Sequence, residues 1–242
     1  MKRAAWLVLS ITAPIVVSLF LSAHDALAGP PLLCHALEIG DANSLPWGDG
    51  EWENGKIEWT DEDFVSRTLA LLSPDAAILT RMETIRRATI HAAEHPKAAR
   101  ALMAAVRLRF DNDESPDANV LFDLGYLSAA YAQMNIVTDH NAVGVTGGKR
   151  QSLTVPEGLS VYDLLRKSAS LAKDAAPVEF ALALVTMSPL HPDHKGHIQR
   201  AVSGASEESL LATNLVQRFG RAGQSLADLR TSFGNTGHGE RR

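Results

Sequence analysis

The chain has 242 residues, 45% of them apolar and 21% charged, with a formal net charge of −5 and one cysteine. That length suits one large domain or two small ones with a real core. A mildly acidic chain without a basic block carries no electrostatic footprint for nucleic acid, and a single cysteine excludes an internal disulfide framework.

Lys2 and Arg3 open the chain, Ala4 to Ala23 is apolar apart from hydroxyls and one proline, and Ala26-Leu27-Ala28 follows. This is the layout of a signal peptide, with cleavage expected after Ala28. An uncleaved anchor is the alternative, because about 20 apolar residues can span a bilayer; Pro14 and the small-x-small site argue against it. Cleavage removes Lys2, Arg3 and Asp25, which takes the charge from −5 to −6. Later apolar runs are interrupted by Arg, Glu or Asp, which are costly in lipid. The expectation is an exported protein, periplasmic or secreted, that meets the membrane only through its signal peptide.

Residues 29–59 follow as an extended segment containing Trp47, Trp52 and Trp59 among Gly, Asp and Glu. Asn54-Gly55 can turn a hairpin there, although Glu51 would then face Glu58. The three indoles can stack on sugar rings or anchor a peptide, or lock the segment onto a helical core. Leu33 before Cys34 is too large for lipoprotein processing, and Cys34-His35 lacks the second cysteine of a haem attachment site. A buried thiol is expected.

From residue 60 the periodicity is helical. Thr60 with Asp63, and Ser160 with Asp163, form capping boxes. Ser73-Pro74-Asp75 and Ser115-Pro116-Asp117 each set a capping serine before proline. Ile78, Met82, Ile85, Thr89 and Ala92 make one apolar stripe, and Val120, Leu124, Leu127, Tyr131 and Met134 another. The pattern predicts helices near 61–73, 75–94, 97–110, 117–134, 160–173, 177–188, 192–204 and 207–220. Short connections make neighbours antiparallel hairpins, and IRRATIHAAEHP (85–96) is faintly echoed by LLRKSASLAKDAAP (164–177). The fold class expected is all-α: stacked helical hairpins, as a tetratricopeptide-like solenoid or an irregular bundle, spanning 60–222. A long loop covers 136–159, and residues 223–242 form a partly disordered tail.

His91, Glu94 and His95 spell H-x-x-E-H, the inverted zinc-hydrolase signature, in which two imidazoles hold the metal and the carboxylate activates water. On a helical wheel all three lie at least about 100° from the Ile85 stripe, so solvent or a flank is expected for them. Pro96 places His95 at a helix end, where its ring can answer free carbonyls and the dipole. His191, His194 and His197 repeat at three-residue spacing, and on a helix starting at Pro192 they could share a flank and bind Zn²⁺, Ni²⁺ or Cu²⁺. GVTGGKR (144–150) is one residue short of a phosphate loop. DNDESPDAN (111–119) has proline where a calcium loop turns on glycine. GASEE (204–208) lacks the second glycine of a nucleophile elbow.

GPPLLCHALEIGDANSLPWG (29–48), RMETIRRA (81–88) and LFDLGY (121–126) resemble a group of uncharacterised exported bacterial proteins. The resemblance implies export and an α-helical fold and carries over no catalytic residues. The reading is a non-catalytic scaffold for a protein or peptide, with no cofactor, since stacked helices leave a concave binding face. The alternatives are a zinc hydrolase using His91, His95 and Glu94, with His191, His194 and His197 as further candidate ligands, and a cell-wall glycan or peptide module using Trp47, Trp52 and Trp59.

Overall fold

The computed structural model describes residues 30–46, 59–141 and 152–234. The signal segment, Trp47, Trp52, the Asn54-Gly55 turn and the GVTGGKR stretch lie outside them. The described residues are all-α. In chain order the helices are α1 (Asp61–Leu71), α2 (Ile78–Ala92), α3 (Pro96–Asp111), α4 (Ala118–Asn141), α5 (Val161–Leu171), α6 (Ala176–Val185), α7 (His194–Gly204), α8 (Leu210–Phe219) and α9 (Leu226–Gly234). None is long and apolar enough to cross a membrane.

Three helices form the middle. Every residue is buried from Leu79 to Arg86 in α2, from Leu121 to Tyr131 in α4, and from Val178 to Leu184 in α6. These three touch one another, while α3 and α5 pack on α4, α1 packs on α3, and α7 packs on α6. The run FALALV in α6 is apolar all round because it is covered all round. At Gly125 a Cβ would lie 3.1 Å from Leu165 Cγ and 3.2 Å from Leu164 Cβ, so the missing side chain lets α5 close on α4. Ser168 Oγ donates to Ala118 O at 2.7 Å and ties the two helices again.

The local signals account for most boundaries. Thr60 Oγ1 accepts from Asp63 N at 3.1 Å, the first half of a capping box, and donates to Asp63 Oδ2 at 2.9 Å. Ser160 Oγ accepts from Asp163 N at 3.2 Å. Thr60→Ala should therefore cost about 1 kcal/mol, read as a lower urea midpoint with the slope unchanged. At the Ser-Pro-Asp sites the caps differ from expectation. Asp117 Oδ1, and not Ser115, takes Asn119 N and Val120 N, at 2.8 and 2.9 Å. Helix α2 starts only at Ile78, with no side-chain cap. The turn before it is held instead by Arg81, which donates to Ala76 O at 3.1 Å and to Ser73 O.

Two expectations are corrected. Helix α4 continues to Asn141, so the connection after it begins later than 136. The tail is helical over Leu226–Gly234, with Leu226 and Leu229 buried and a reciprocal cap between Ser225 and Asp228. The S-x-x-D spacing was present in the sequence as a start signal.

Residues 30–46 contain no helix or strand and lie against the middle helices, with Leu32, Leu33, Leu37 and Leu45 each 6% exposed or less. Cys34 in this segment is only half-buried; partial burial still pushes its thiol up, against the nearby Arg218 and Arg86.

Candidate functional site

The H-x-x-E-H residues do not share one helix. Pro96 disfavours helical backbone at the residue before it; α2 stops at Ala92, and His95 adopts φ −126°, ψ 73° as the N-cap of α3. The two rings therefore stack face to face, 4.5 Å apart at 18°, rather than projecting together from one helix face. His91 does not face solvent either. It is half-buried against Phe64, at 4.6 Å, and Trp59, at 5.7 Å. Burial, then the neighbouring His95, lowers its pKa. The place of His91 is a flank position, one of the two the wheel allowed. Glu94 and His95 are exposed. Trp59, the one described tryptophan of its segment, packs on Phe64, with Arg67 over its face at 5.8 Å.

The second cluster also separates. Helix α7 begins at His194 rather than Pro192, and His191 and His197 both meet Tyr162 while His194 does not. The His191 ring lies on Tyr162 at 4.3 Å, and His194 Nδ1 lies 3.1 Å from Thr186 Oγ1. Buried His197 places Nδ1 2.6 Å from Glu179 Oε2 and Nε2 3.2 Å from Tyr162 Oη. Tyr162 donates to Asp193 Oδ2 at 2.6 Å, and Arg200 Nε lies 2.9 Å from Glu179 Oε1. Burial works against the charge on Glu179, but His197 and Arg200 hold its carboxyl below the usual range.

A carboxylate, an imidazole and a hydroxyl in line have the outline of a base and nucleophile. Here, burial and the bond to Asp193 push Tyr162 up to about 12, so the phenol keeps its proton near neutral pH. The chain of contacts instead fastens α5, α6 and α7 together. Among the described residues, no group of three or more His, Cys, Asp or Glu side chains is placed to hold a metal ion.

A cavity among the described residues lies elsewhere, over the turn between α1 and α2. It is a cleft of about 390 Å³, within the usual size range of ligand pockets. Leu69, Leu72, Pro74 and Val120 give it apolar walls, while Arg109, Asp117 and Asn119 bring polar groups to the lining. Asn119 Nδ2 donates to Pro74 O at 2.9 Å, and Arg109 donates to Leu69 O at 3.1 Å and Leu72 O at 3.3 Å. These bonds hold the turn open from the α3 and α4 side.

Its lining also includes a buried ion pair. Arg81 Nη1 reaches both carboxylate oxygens of Asp123, at 2.8 and 2.7 Å, and the two side chains are 1% and 5% exposed. Burial pushes Asp123 up to about 6, against the pull of Arg81. A shifted carboxyl beside a concave, largely apolar site marks a candidate binding position. Neither residue was singled out from spacing, since a single charged residue gives no periodic signal. The visible trace was their place in RMETIRRA and LFDLGY. The chain matches no family model, no curated protein and no solved structure.

Proposed function

We propose that the protein is an exported, non-catalytic interaction protein that takes a short peptide segment of a partner in the cleft between the α1–α2 turn and α4. The observation that carries this reading is the cleft itself: apolar walls from Leu69, Leu72 and Val120, with cations and carboxylates both in its lining. An apolar side chain fits between those walls, while Arg109 and Asp117 offer a donor and an acceptor to main-chain or side-chain groups. The basic, apolar, small-x-small start of the sequence supports export.

The test is selection of a random peptide library on the purified chain, followed by binding to Val120→Trp, which fills the cleft from its wall. Enriched peptides should lose at least about tenfold in affinity, a change of about 1.4 kcal/mol, while the melting temperature of the variant stays close to that of the parent. Peptides that bind both proteins equally, or a library that yields no binders, would remove the reading.

A further inference from the structure

Residues 30–46 are held the way a guest peptide is held. Gln133 Oε1 accepts from Leu32 N at 2.9 Å and Glu83 Oε2 from Leu37 N at 3.0 Å. Arg86 donates to Leu33 O at 3.1 Å, Arg218 to His35 O at 2.6 Å, and Arg87 to Leu45 O at 2.5 Å. Asn214 reads one residue in both directions, accepting from Glu38 N at 3.0 Å and donating to Glu38 O at 2.9 Å. Among the described residues, the segment's backbone-to-backbone bonds are all internal to it. Buried main chain must find partners, and here side chains of α2, α4 and α8 supply them.

Charge and shape agree with this. The charged side chains on the groove that touch the segment are Arg86, Arg87, Arg218 and Glu83, a positive excess. The segment carries Glu38 and Asp41 and no Lys or Arg. Its four buried leucines supply the apolar anchors. None of these contacts requires that the segment belong to the same chain. Residues 47–60 join it to α1, and fourteen residues reach at most about 50 Å when extended.

We propose that the groove of α2, α4 and α8 accepts this same segment from a second copy of the chain, giving a reciprocal, segment-swapped dimer. Exchange of an identical element is a low-cost route to a dimer because every contact is reproduced. The tether sets the competition: a linker of this length keeps the segment at an effective concentration of roughly millimolar order within its own chain. Exchange is therefore expected when segments are released together at high concentration.

The experiment refolds the full chain from urea at about 1 μM and at about 1 mM, concentrations that bracket the tether's effective value, and measures mass by light scattering after equal dilution. The dimer fraction should rise from under about a tenth to over about half between the two. Leu37→Asp, which spoils the segment, and Asn214→Ala, which spoils the groove, are then refolded together, one isotopically labelled, and weighed by native mass spectrometry. Only their mixed dimer contains a site in which both halves are intact, so it should exceed both homodimers. Leu37→Ala replaces Leu37→Asp should the latter not fold. A wild-type chain that stays monomeric at the higher concentration overturns the proposal, and so do mixed and homodimers in statistical proportions.

Discussion

Arg81→Met should lower the stability of the folded chain by about 3–5 kcal/mol at pH 7, the range found when one partner of a buried ion pair is removed. Methionine fills much of the same space, so the loss comes from charge and hydrogen bonding rather than from a cavity. Asp123, 4% exposed, would lose the cation it touches and would have to stay charged in an apolar site or take up a proton, each at a cost. The carbonyls of Ser73 and Ala76 would lose their donors as well, but both residues are partly exposed and water can replace those bonds. Arg81→Met with Asp123→Leu should therefore recover most of the loss.

The pH dependence gives an independent check. The carboxyl of Asp123 is raised to about 6 from an ordinary 3.8, so the folded chain holds this proton more tightly than the unfolded one. For such a group, stability rises as pH falls from about 6 toward 3.8. Without Arg81 the carboxyl moves higher still, and the single variant should regain stability on mild acidification by more than the parent does. Urea unfolding at pH 7 and pH 5 reads both. A loss below about 1 kcal/mol at pH 7, with no extra gain at pH 5, would mean that the pair is not the floor of this fold.

The same pair shows where reading from sequence ends. Helix existence followed from period and caps: Thr60, Ser160 and Pro96 begin α1, α5 and α3 where local chemistry says they should. What period could not supply was how many sides of a helix are covered. Helix α2 has a regular stripe, yet Arg81, Glu83 and Arg86 off that stripe are also buried, each because it has a specific partner on another element. Such partners lie 42, 46 and 53 residues away and leave no mark in local spacing. The histidine motifs show the complementary limit. His91 and His95 keep the spacing of a chelating pair, but Pro96 ends the helix between them, and a spacing means a geometry only if the helix is continuous. The cleft was illegible for both reasons together, since it is assembled from the ends of four helices and one turn.

The second large effect should come from Glu83→Gln. Glu83 is fully buried and its two oxygens serve three groups: Arg86 by both Nε and Nη2 at 2.8 Å, Arg87 Nε at 2.6 Å, and the main-chain N–H of Leu37. Glutamine has nearly the same shape but only one acceptor oxygen, and its amide would point two N–H groups at a guanidinium. The loss should be about 3 kcal/mol or more, because Arg86 is left buried without its counter-charge.

The loss should also be local in its first effect, freeing the segment before the core. Amide exchange at Leu37 and Glu38 should quicken in Glu83→Gln under conditions where α4 and α6 stay protected. Burial opposes the charge of Glu83, but its bonds from Arg86, Arg87 and Leu37 hold the carboxyl below its ordinary 4.5. A group depressed in this way contributes its full stability above the unfolded value and loses it as pH falls through the folded one. The parent should therefore lose stability on acidification below about pH 4.5 more steeply than Glu83→Gln does. Parallel acid profiles for the two proteins, or an unchanged exchange rate at Leu37, would show that the segment is held by its leucines alone.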